Sequence, residues 1–185
     1  IAGTSSFTTS ANNATITLNN ANAFTNAVAL NTTGSTGHAT VVDASGLNLG
    51  ASTVGGNLIA TATTGNMEDS GVLTIAGTSS FTTSATDATI TLNNANAFTG
   101  AVSLNTTGSS GNATVVDASD LNLGASTVGG NLIATATTGN MTDSGALTIA
   151  GTSSFTTSAN NATIALNTTN NAFTGAVTIT TNDNS

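Results

Sequence analysis

Short segments of this chain alternate between side chains suited to a core and polar side chains. After Gly77, for example, Ser79 and Phe81 alternate with Ser80 and Thr82. Successive side chains of a β-strand point to opposite faces of a sheet, so this period of two predicts strands with Phe81 turned inward. No apolar stripe with the i, i+3, i+4 spacing of an amphipathic helix is sustained anywhere. The pattern therefore predicts an all-β protein.

The chain also repeats itself on a longer scale. The decapeptide IAGTSSFTTS begins at positions 1, 75 and 149, which are equally spaced. The copies are 1–74, 75–148 and a partial copy, 149–185, which carries one extra residue in the segment 167–171. A fixed period of this kind is typical of solenoids, and insertions belong in their corners. We predict that residues 1–185 form one continuous solenoid segment.

Each copy divides further into three sets of aligned segments. The first set begins at Gly77, Gly100 and Gly130, the second at Ala88, Ala113 and Asn140, and the third at Phe98, Leu121 and Leu147. The inward positions of the first set are Ser79 and Phe81, Val102 and Leu104, and Leu132 and Ala134. We predict a right-handed parallel β-helix (β-solenoid) with about three coils per copy, each of roughly 21–30 residues with three short strands.

Composition supports an ordered β-structure. Hydrophobic residues make up 38% of the chain and recur in register, whereas disordered chains combine low hydrophobicity with high net charge. Proline is absent, as expected where nearly every strand must donate its N–H groups to a neighbour. Asn and Gly, which tolerate left-handed backbone angles, are expected at the corners.

Charge excludes several functions. The net charge is −8, and the chain contains neither Lys nor Arg. Binding to nucleic acid or to anionic lipid relies on those two residues, so we expect neither partner. No apolar run approaches the ~20 residues of a membrane helix, so we expect no membrane insertion. Because the chain starts and stops within a repeat, we expect a segment of a longer array or a processed product.

The sequence offers no candidate for catalysis. His38 is the only histidine and aligns with Asn112, so it is interpreted as a solvated turn residue. Asp43 recurs as Asp117, and three predicted coils place these two carboxylates about 14 Å apart. Paired acid–base catalysis needs carboxyl groups about 5–9.5 Å apart. We therefore predict no catalytic residue, and a corner or turn role for the aspartates.

The same reasoning applies to the other acidic residues. Asp69 recurs as Asp143, but Glu68, its neighbour, is replaced by Thr142 in the second copy. The GGNL segments at 55–58 and 129–132 lack the aspartate of calcium-binding β-roll repeats. We therefore predict no metal site and no cofactor.

Two surface features remain open. The sequence holds seven N-x-[ST] glycosylation motifs, about as many as its composition alone would produce, at Asn13, Asn31, Asn105, Asn112, Asn140, Asn161 and Asn167. The outward positions of the first set would form a flat, uncharged lattice of Thr, Ser and Asn. These positions are Thr78, Ser80, Thr82 and Ser84, then Ala101, Ser103, Asn105 and Thr107, then Asn131, Ile133, Thr135 and Thr137. Such a face suits ice or polysaccharide, lateral packing between rods or plain solvation, and Ala101 and Ile133 break its regularity.

The runs GNLIATATTGNMTDSGALTIAGTSSFTTSANNATIALN, at residues 130–167, and NAFTGAV, at 171–177, carry a resemblance. They are similar to the repeats of filamentous-haemagglutinin-type exoproteins and related large bacterial adhesins. The resemblance covers essentially the whole chain. It implies a right-handed parallel β-helix, export through an outer-membrane partner or autotransporter barrel, and display on the bacterial surface as a long stalk active in adhesion and biofilm formation.

Taken together, the sequence predicts a structural or adhesive rod of a secreted or cell-surface protein, and not an enzyme. A self-assembling extracellular filament or sheath is the first alternative, and ice or polysaccharide binding through a flat Thr/Ser face is the second. The expected partners are neighbouring coils, further copies of the protein joined end to end or laterally, and a surface or glycan ligand that the sequence does not identify.

Overall fold

The computed structural model describes residues 1–182, in which the chain forms twenty-two β-strands and no helix. In chain order the strands are β1 (Ser5–Thr8), β2 (Ile16–Asn22), β3 (Val28–Asn31), β4 (Ala39–Asp43), β5 (Leu47–Leu49), β6 (Ser52–Val54), β7 (Leu58–Ala62), β8 (Met67–Asp69), β9 (Leu73–Ile75), β10 (Ser79–Thr86), β11 (Ile90–Phe98), β12 (Val102–Thr107), β13 (Ala113–Asp117), β14 (Leu121–Leu123), β15 (Ser126–Val128), β16 (Leu132–Ala136), β17 (Met141–Asp143), β18 (Leu147–Ile149), β19 (Ser153–Asn160), β20 (Ile164–Ala165), β21 (Ala172–Phe173) and β22 (Val177–Asn182).

These strands form two parallel sheets of eleven strands each. Sheet 1 contains β1, β3, β5, β6, β8, β9, β11, β13, β16, β19 and β22, and sheet 2 contains β2, β4, β7, β10, β12, β14, β15, β17, β18, β20 and β21. The chain alternates between the sheets, with one strand or one split pair of strands per visit. It thereby winds a β-solenoid of about eight coils, which confirms the predicted fold class. Residues 183–185 of the predicted 1–185 segment lie outside the described residues.

Successive coils are compact. Residues that stack on one another are close in sequence, both in a short coil, where Ala39 pairs with Leu58, and in a long coil, where Ser153 pairs with Val177. Each coil has two sides, one in each sheet. The sequence instead predicts three short strands and up to about 30 residues per coil. The shorter coil leaves room for more coils in each 74-residue copy.

Equivalent strands of successive copies lie in opposite sheets. The TSSFTT strand is β1 in sheet 1, β10 in sheet 2 and β19 in sheet 1 again. One copy therefore spans three and a half coils, and each copy is turned by half a coil relative to the previous one. The sequence alignment places Leu121, the first residue of β14, in a third set with Phe98 and Leu147, whereas β14 and β15 together form one side of a coil and stack on β12.

The place of β14 and β15 in the stack decides which of the predicted inward positions pair with one another. Ser79 pairs with Val102 and Phe81 with Leu104, as predicted. Leu132 and Ala134 also point inward and are buried, but they lie in sheet 1, where they pair with Ala113 and Val115.

The core lies between the two sheets, and the longer strands each turn two or three buried side chains into it. Phe81, Leu104 and Phe155 are fully buried in it. Inward and outward residues alternate along the longer strands, as the pattern of period two predicts. Three edge-to-face phenylalanine pairs span the core, with ring centroids 5.8–5.9 Å apart: Phe7–Phe24, Phe81–Phe98 and Phe155–Phe173. Such pairs add to the stabilisation from burial alone.

The corners use residues that tolerate positive φ. Asn13, Asp87 and Asn161 occupy one equivalent corner of the three copies, with φ of 64°, 63° and 61°. Asn and Asp are the non-glycine residues best suited to this region. The segment 167–171 lies between β20 and β21, which confirms that the extra residue falls in a connection. The insertion splits a strand that is continuous as β11 in the second copy.

No segment of residues 1–182 forms a helix of the length and apolarity needed to span a bilayer.

Candidate functional site

Two of the recurring aspartates are buried, and each accepts hydrogen bonds from two backbone N–H groups and one serine hydroxyl. Asp43 accepts hydrogen bonds from the N–H of Phe24 at 2.8 Å and from the N–H and hydroxyl of Ser45 at 2.9 Å each. Asp117 makes the same three bonds with Phe98 and Ser119. The two carboxylates lie in opposite sheets, at the ends of β4 and β13. Their role is to satisfy the donors of a corner.

Burial is the main cause that raises the pKa of the Asp117 carboxyl above its usual value. The hydrogen bonds from Ser119 and Phe98 oppose that shift, and the nearby charge of Asp120 adds to it. Desolvation disfavours the charged form of a carboxyl group, whereas donated hydrogen bonds favour it.

Asp69 and Asp143 form a second pair of corner acceptors. Asp69 accepts from the N–H groups of Asn93 and Asn94 and, at 2.8 Å, from the side-chain amide of Asn96 in the next coil. In the third copy Asn171 donates in the same way to Asp143, at 2.6 Å. The extra residue in 167–171 thus leaves this contact intact. Both aspartates act in corners, as the sequence predicts, but the sequence does not reveal their burial.

His38 has a structural partner. It is half-buried, and its Nδ1 accepts the N–H of Asn57 in the next coil at 2.8 Å. In the second copy Asn112 Oδ1 accepts the N–H of Asn131 at 2.7 Å. The ladder continues, since Asn57 Oδ1 accepts the N–H of Thr78 at 2.9 Å. His38 therefore replaces one rung of an asparagine ladder and is not simply a solvated turn residue.

The GGNL segment at 55–58 is part of the same corner. A Cβ on Gly56 would clash with Nδ1 of His38, so glycine is needed for close stacking. Within residues 1–182, no group of three or more His, Cys, Asp or Glu side chains is arranged to hold a metal ion.

The predicted outer lattice is divided between the two faces of the rod. Ser80 pairs with Ser103 and Thr82 with Asn105 on sheet 2, as predicted. Ile133 and Thr135 instead lie on sheet 1, where they pair with Thr114 and Val116. Ile59 occupies on sheet 2 the place that Ile133 occupies on sheet 1, and each is 48% exposed.

The glycosylation motifs occur in varied settings. Asn13 and Asn161 are exposed in positive-φ corners, while Asn31 and Asn105 are half-buried within strands.

A polar groove opens at the edge where the chain enters sheet 1 in the first copy. Three successive corners form it, at the start of β3, β5 and β8, and its volume is about 340 Å³. We call it the corner groove. Its lining residues are Phe24, Thr25, Asn26, Gly46, Leu47, Asn48, Asn66 and Glu68. Apart from Glu68, none of these residues is singled out by the sequence pattern.

The equivalent corner of the second copy has different side chains. Asp120 stands in place of Gly46, and its Oδ1 accepts the N–H of Asn140 at 2.6 Å. Gly100 replaces Asn26, and Thr142 replaces Glu68. The sequence does contain a signal for the groove, namely the few positions at which the near-identical copies differ.

A second hollow, of about 270 Å³, lies on the outer face of sheet 1. It is lined by Thr89, Ile90, Thr91, Asn112, Ala113, Thr114, Asn131 and Ile133. This hollow extends across three successive coils of sheet 1, and none of its lining residues is titratable.

Parallel sheets, two-sided coils and a recurring unit define the class, which is a β-solenoid repeat protein. Residues 36–105 and 110–180 each match a family described as repeats of unknown function, DUF5649, and the chain belongs to that family. The starts of the two matched segments, at positions 36 and 110, are separated by one period of the sequence repeat. No curated protein matches the chain, and no solved structure matches it.

Proposed function

We propose that this chain is a rod segment of a secreted or cell-surface bacterial protein, which holds other parts of that protein away from the cell. The unbroken parallel ladder of about eight coils supports this proposal. Each coil contacts only its neighbours, so length can grow by adding units without redesigning the core. The resemblance to filamentous-haemagglutinin-type adhesins supports surface display and a contribution to adhesion and biofilm formation.

A purely mechanical role without catalysis fits the chemistry of the described residues. The four recurring aspartates accept hydrogen bonds from corner N–H groups or from corner amides, and His38 accepts one from Asn57. A catalytic acid or base needs access to a substrate proton. These groups are instead used to hold one coil on the next.

Length is the property that tests the rod. We would express the chain and a version with one additional 74-residue unit and measure their long dimension by small-angle scattering and electron microscopy. The added unit should lengthen the particle by about 17 Å, from three and a half coils at about 4.8 Å each, at constant cross-section. A second compact body joined by a hinge would contradict the proposal. Uniform fibres that grow with protein concentration would favour the filament alternative.

Surface display needs a separate test. Protease added to intact cells of the source organism should remove an antibody epitope placed in the exposed 167–171 connection. A cytoplasmic control protein should survive the same treatment. Protection of the epitope until the cells are lysed would contradict the proposed location.

A further inference from the structure

The positions that differ between the first two copies are over-represented in the corner groove. Residues 1–74 and 75–148 differ at nine aligned positions: 12, 13, 26, 29, 36, 38, 46, 68 and 72. Three of these nine, Asn26, Gly46 and Glu68, are among the eight residues that line the groove. They come from three successive coils and are distant in sequence, so the fold alone brings them together.

Each of the three differences makes the first corner more open or richer in polar groups. Gly46 removes the carboxylate that Asp120 directs onto the N–H of Asn140 in the second copy. Asn26 and Glu68 add an amide and a carboxylate where the second copy has Gly100 and Thr142. The first corner is thus a cavity with added hydrogen-bonding groups, and the second is occupied by its own aspartate.

The groove offers both donors and acceptors. Asn66 Oδ1 is held by the N–H of Thr89 at 2.9 Å, which leaves its Nδ2 to donate. The Nδ2 of Asn26 donates to the carbonyl of Ala2 at 3.2 Å, which leaves its Oδ1 to accept. The carboxylate of Glu68 is exposed, and the chain has no Lys or Arg to pair with it.

These groups select a class of ligand. An anion would face Glu68 without any compensating cation, and a metal ion would find only one carboxylate among the lining residues. A sugar hydroxyl both donates and accepts, so it can bond to an amide and a carboxylate at once. A volume of about 340 Å³ lies at the lower end of the range for small-molecule sites. It therefore suits a single ring.

We propose that the corner groove binds one neutral hexose or N-acetylhexosamine unit of a glycan, with Glu68 accepting from a hydroxyl and Asn26 and Asn66 orienting the ring. This site is independent of the rod proposal, since a rod without a ligand remains a rod. Conversely, the groove would bind the sugar whether the chain is displayed at a surface or assembled into a filament.

The experiment is a titration of the isotope-labelled chain with glucose, galactose, mannose, N-acetylglucosamine and N-acetylgalactosamine at millimolar concentrations, followed by amide chemical shifts. At least one sugar should shift the amide signals of residues 25–26, 46–48 and 66–68, and these shifts should saturate with sugar concentration. The amide signals of the aligned residues 99–100, 120–122 and 140–142 should not change, so the second copy serves as an internal control. No saturable shift with any of the five sugars, or equal shifts in both copies, would overturn the proposal.

Exchanges between the copies sharpen the test. Gly46→Asp, which introduces the side chain already accommodated at Asp120, should weaken binding at least about tenfold, and so should Glu68→Thr. The matched exchange Thr142→Glu places a carboxylate at the occupied second corner and should create no new binding. The melting temperature of each variant should stay at the parent value. If Gly46→Asp does not fold, Glu68→Thr provides the test by itself, and unchanged affinity in that variant would contradict the proposed role of Glu68.

Discussion

The first and second copies of the repeat are nearly the same sequence placed on opposite sides of one rod. The TSSFTT strand faces one way as β1 and the other way as β10. Even so, equivalent residues in the interior of the rod have the same surroundings: Ile59 and Ile133 are each 48% exposed, and Leu30 and Leu104 are both fully buried. The environment of a residue is therefore set by the coils above and below it, and the two sheets are interchangeable. Where the copies do differ, as at Gly46 and Asp120, the cause is a substitution and not the face on which it lies.

The core provides the strongest test of this equivalence. Phe81→Ala and Phe155→Ala each remove a fully buried ring from opposite sheets, and each should lower the free energy of unfolding by about 3–5 kcal/mol. The two losses should agree within about 0.5 kcal/mol. Chemical denaturation of the two variants and the parent would measure them. A large loss for one variant and a small loss for the other would show that the sheets are not equivalent.

Polar substitution in the same core should disrupt the fold locally. Leu104→Asp places a charge where Leu104 is fully buried against Phe81 in the neighbouring coil, and an unpaired buried charge is costly. We expect loss of amide protection in β10, β12 and β15, measured by hydrogen exchange. The control Ser103→Asp changes the adjacent, outward residue and should leave protection intact. Parent-like protection in Leu104→Asp would contradict the inward assignment.

The buried corner acceptors should give a smaller effect. Asp43→Ala and Asp117→Ala each leave the N–H of a buried phenylalanine without its acceptor, at a cost of about 1–3 kcal/mol. The two variants should lose similar stability, because the three hydrogen bonds are the same in both copies. Thermal unfolding near neutral pH would measure the loss, and Glu68→Gln, at an exposed carboxylate, would report the effect of removing charge alone.

The pH dependence of stability should report on the Asp117 corner. The raised pKa of Asp117 means that the folded chain binds its proton more tightly than the unfolded chain does. The stability contributed by Asp117 should therefore fall as pH rises from about 3.9, the ordinary value, through the raised pKa, and then level off. Asn does not titrate, so the free energy of unfolding of Asp117→Asn should rise relative to that of the parent as pH increases across this range. Asp120→Gly, which gives this corner the residue of the first copy, should shrink the effect. A difference between Asp117→Asn and the parent that is flat with pH would contradict the shift.

The smallest effect concerns the one histidine. His38→Asn gives the first copy the rung of the second and should change stability by less than about 0.5 kcal/mol, since both side chains accept the same kind of backbone N–H. His38→Ala removes the acceptor and should cost more. Equal melting temperatures for His38→Ala and His38→Asn would show that the rung contributes nothing.

Much of this architecture follows from the sequence. The alternation around Phe81 and the 74-residue period are enough to predict a parallel solenoid, and the pairing of Ser79 with Val102 is correct residue for residue. The number of coils per copy is harder to obtain, because β14 and β15 are three residues each and share little sequence with the strands on which they stack. Assigning β14 to a separate third side removes half a coil from the count, and this error moves every later strand to the other sheet.

The corner groove could not be predicted as a cavity for a related reason, although the differences between the copies mark three of its lining residues. Its lining comes from three separate segments of the chain, and only the register of Leu47 with Met67 and of Val28 with Leu49 brings them side by side. The burial of Asp43 and Asp69 was equally hidden, since nothing in composition distinguishes an aspartate that receives backbone N–H groups from one in water.

A half-integral number of coils per unit also constrains how such an array can change. Nearly identical units invite unequal recombination, which adds or deletes whole units. Loss of a single unit would rotate everything beyond it by a half circle and present its opposite side, whereas loss of two would leave the direction unchanged. Arrays of this kind should therefore tolerate changes in length by pairs more readily than changes by one.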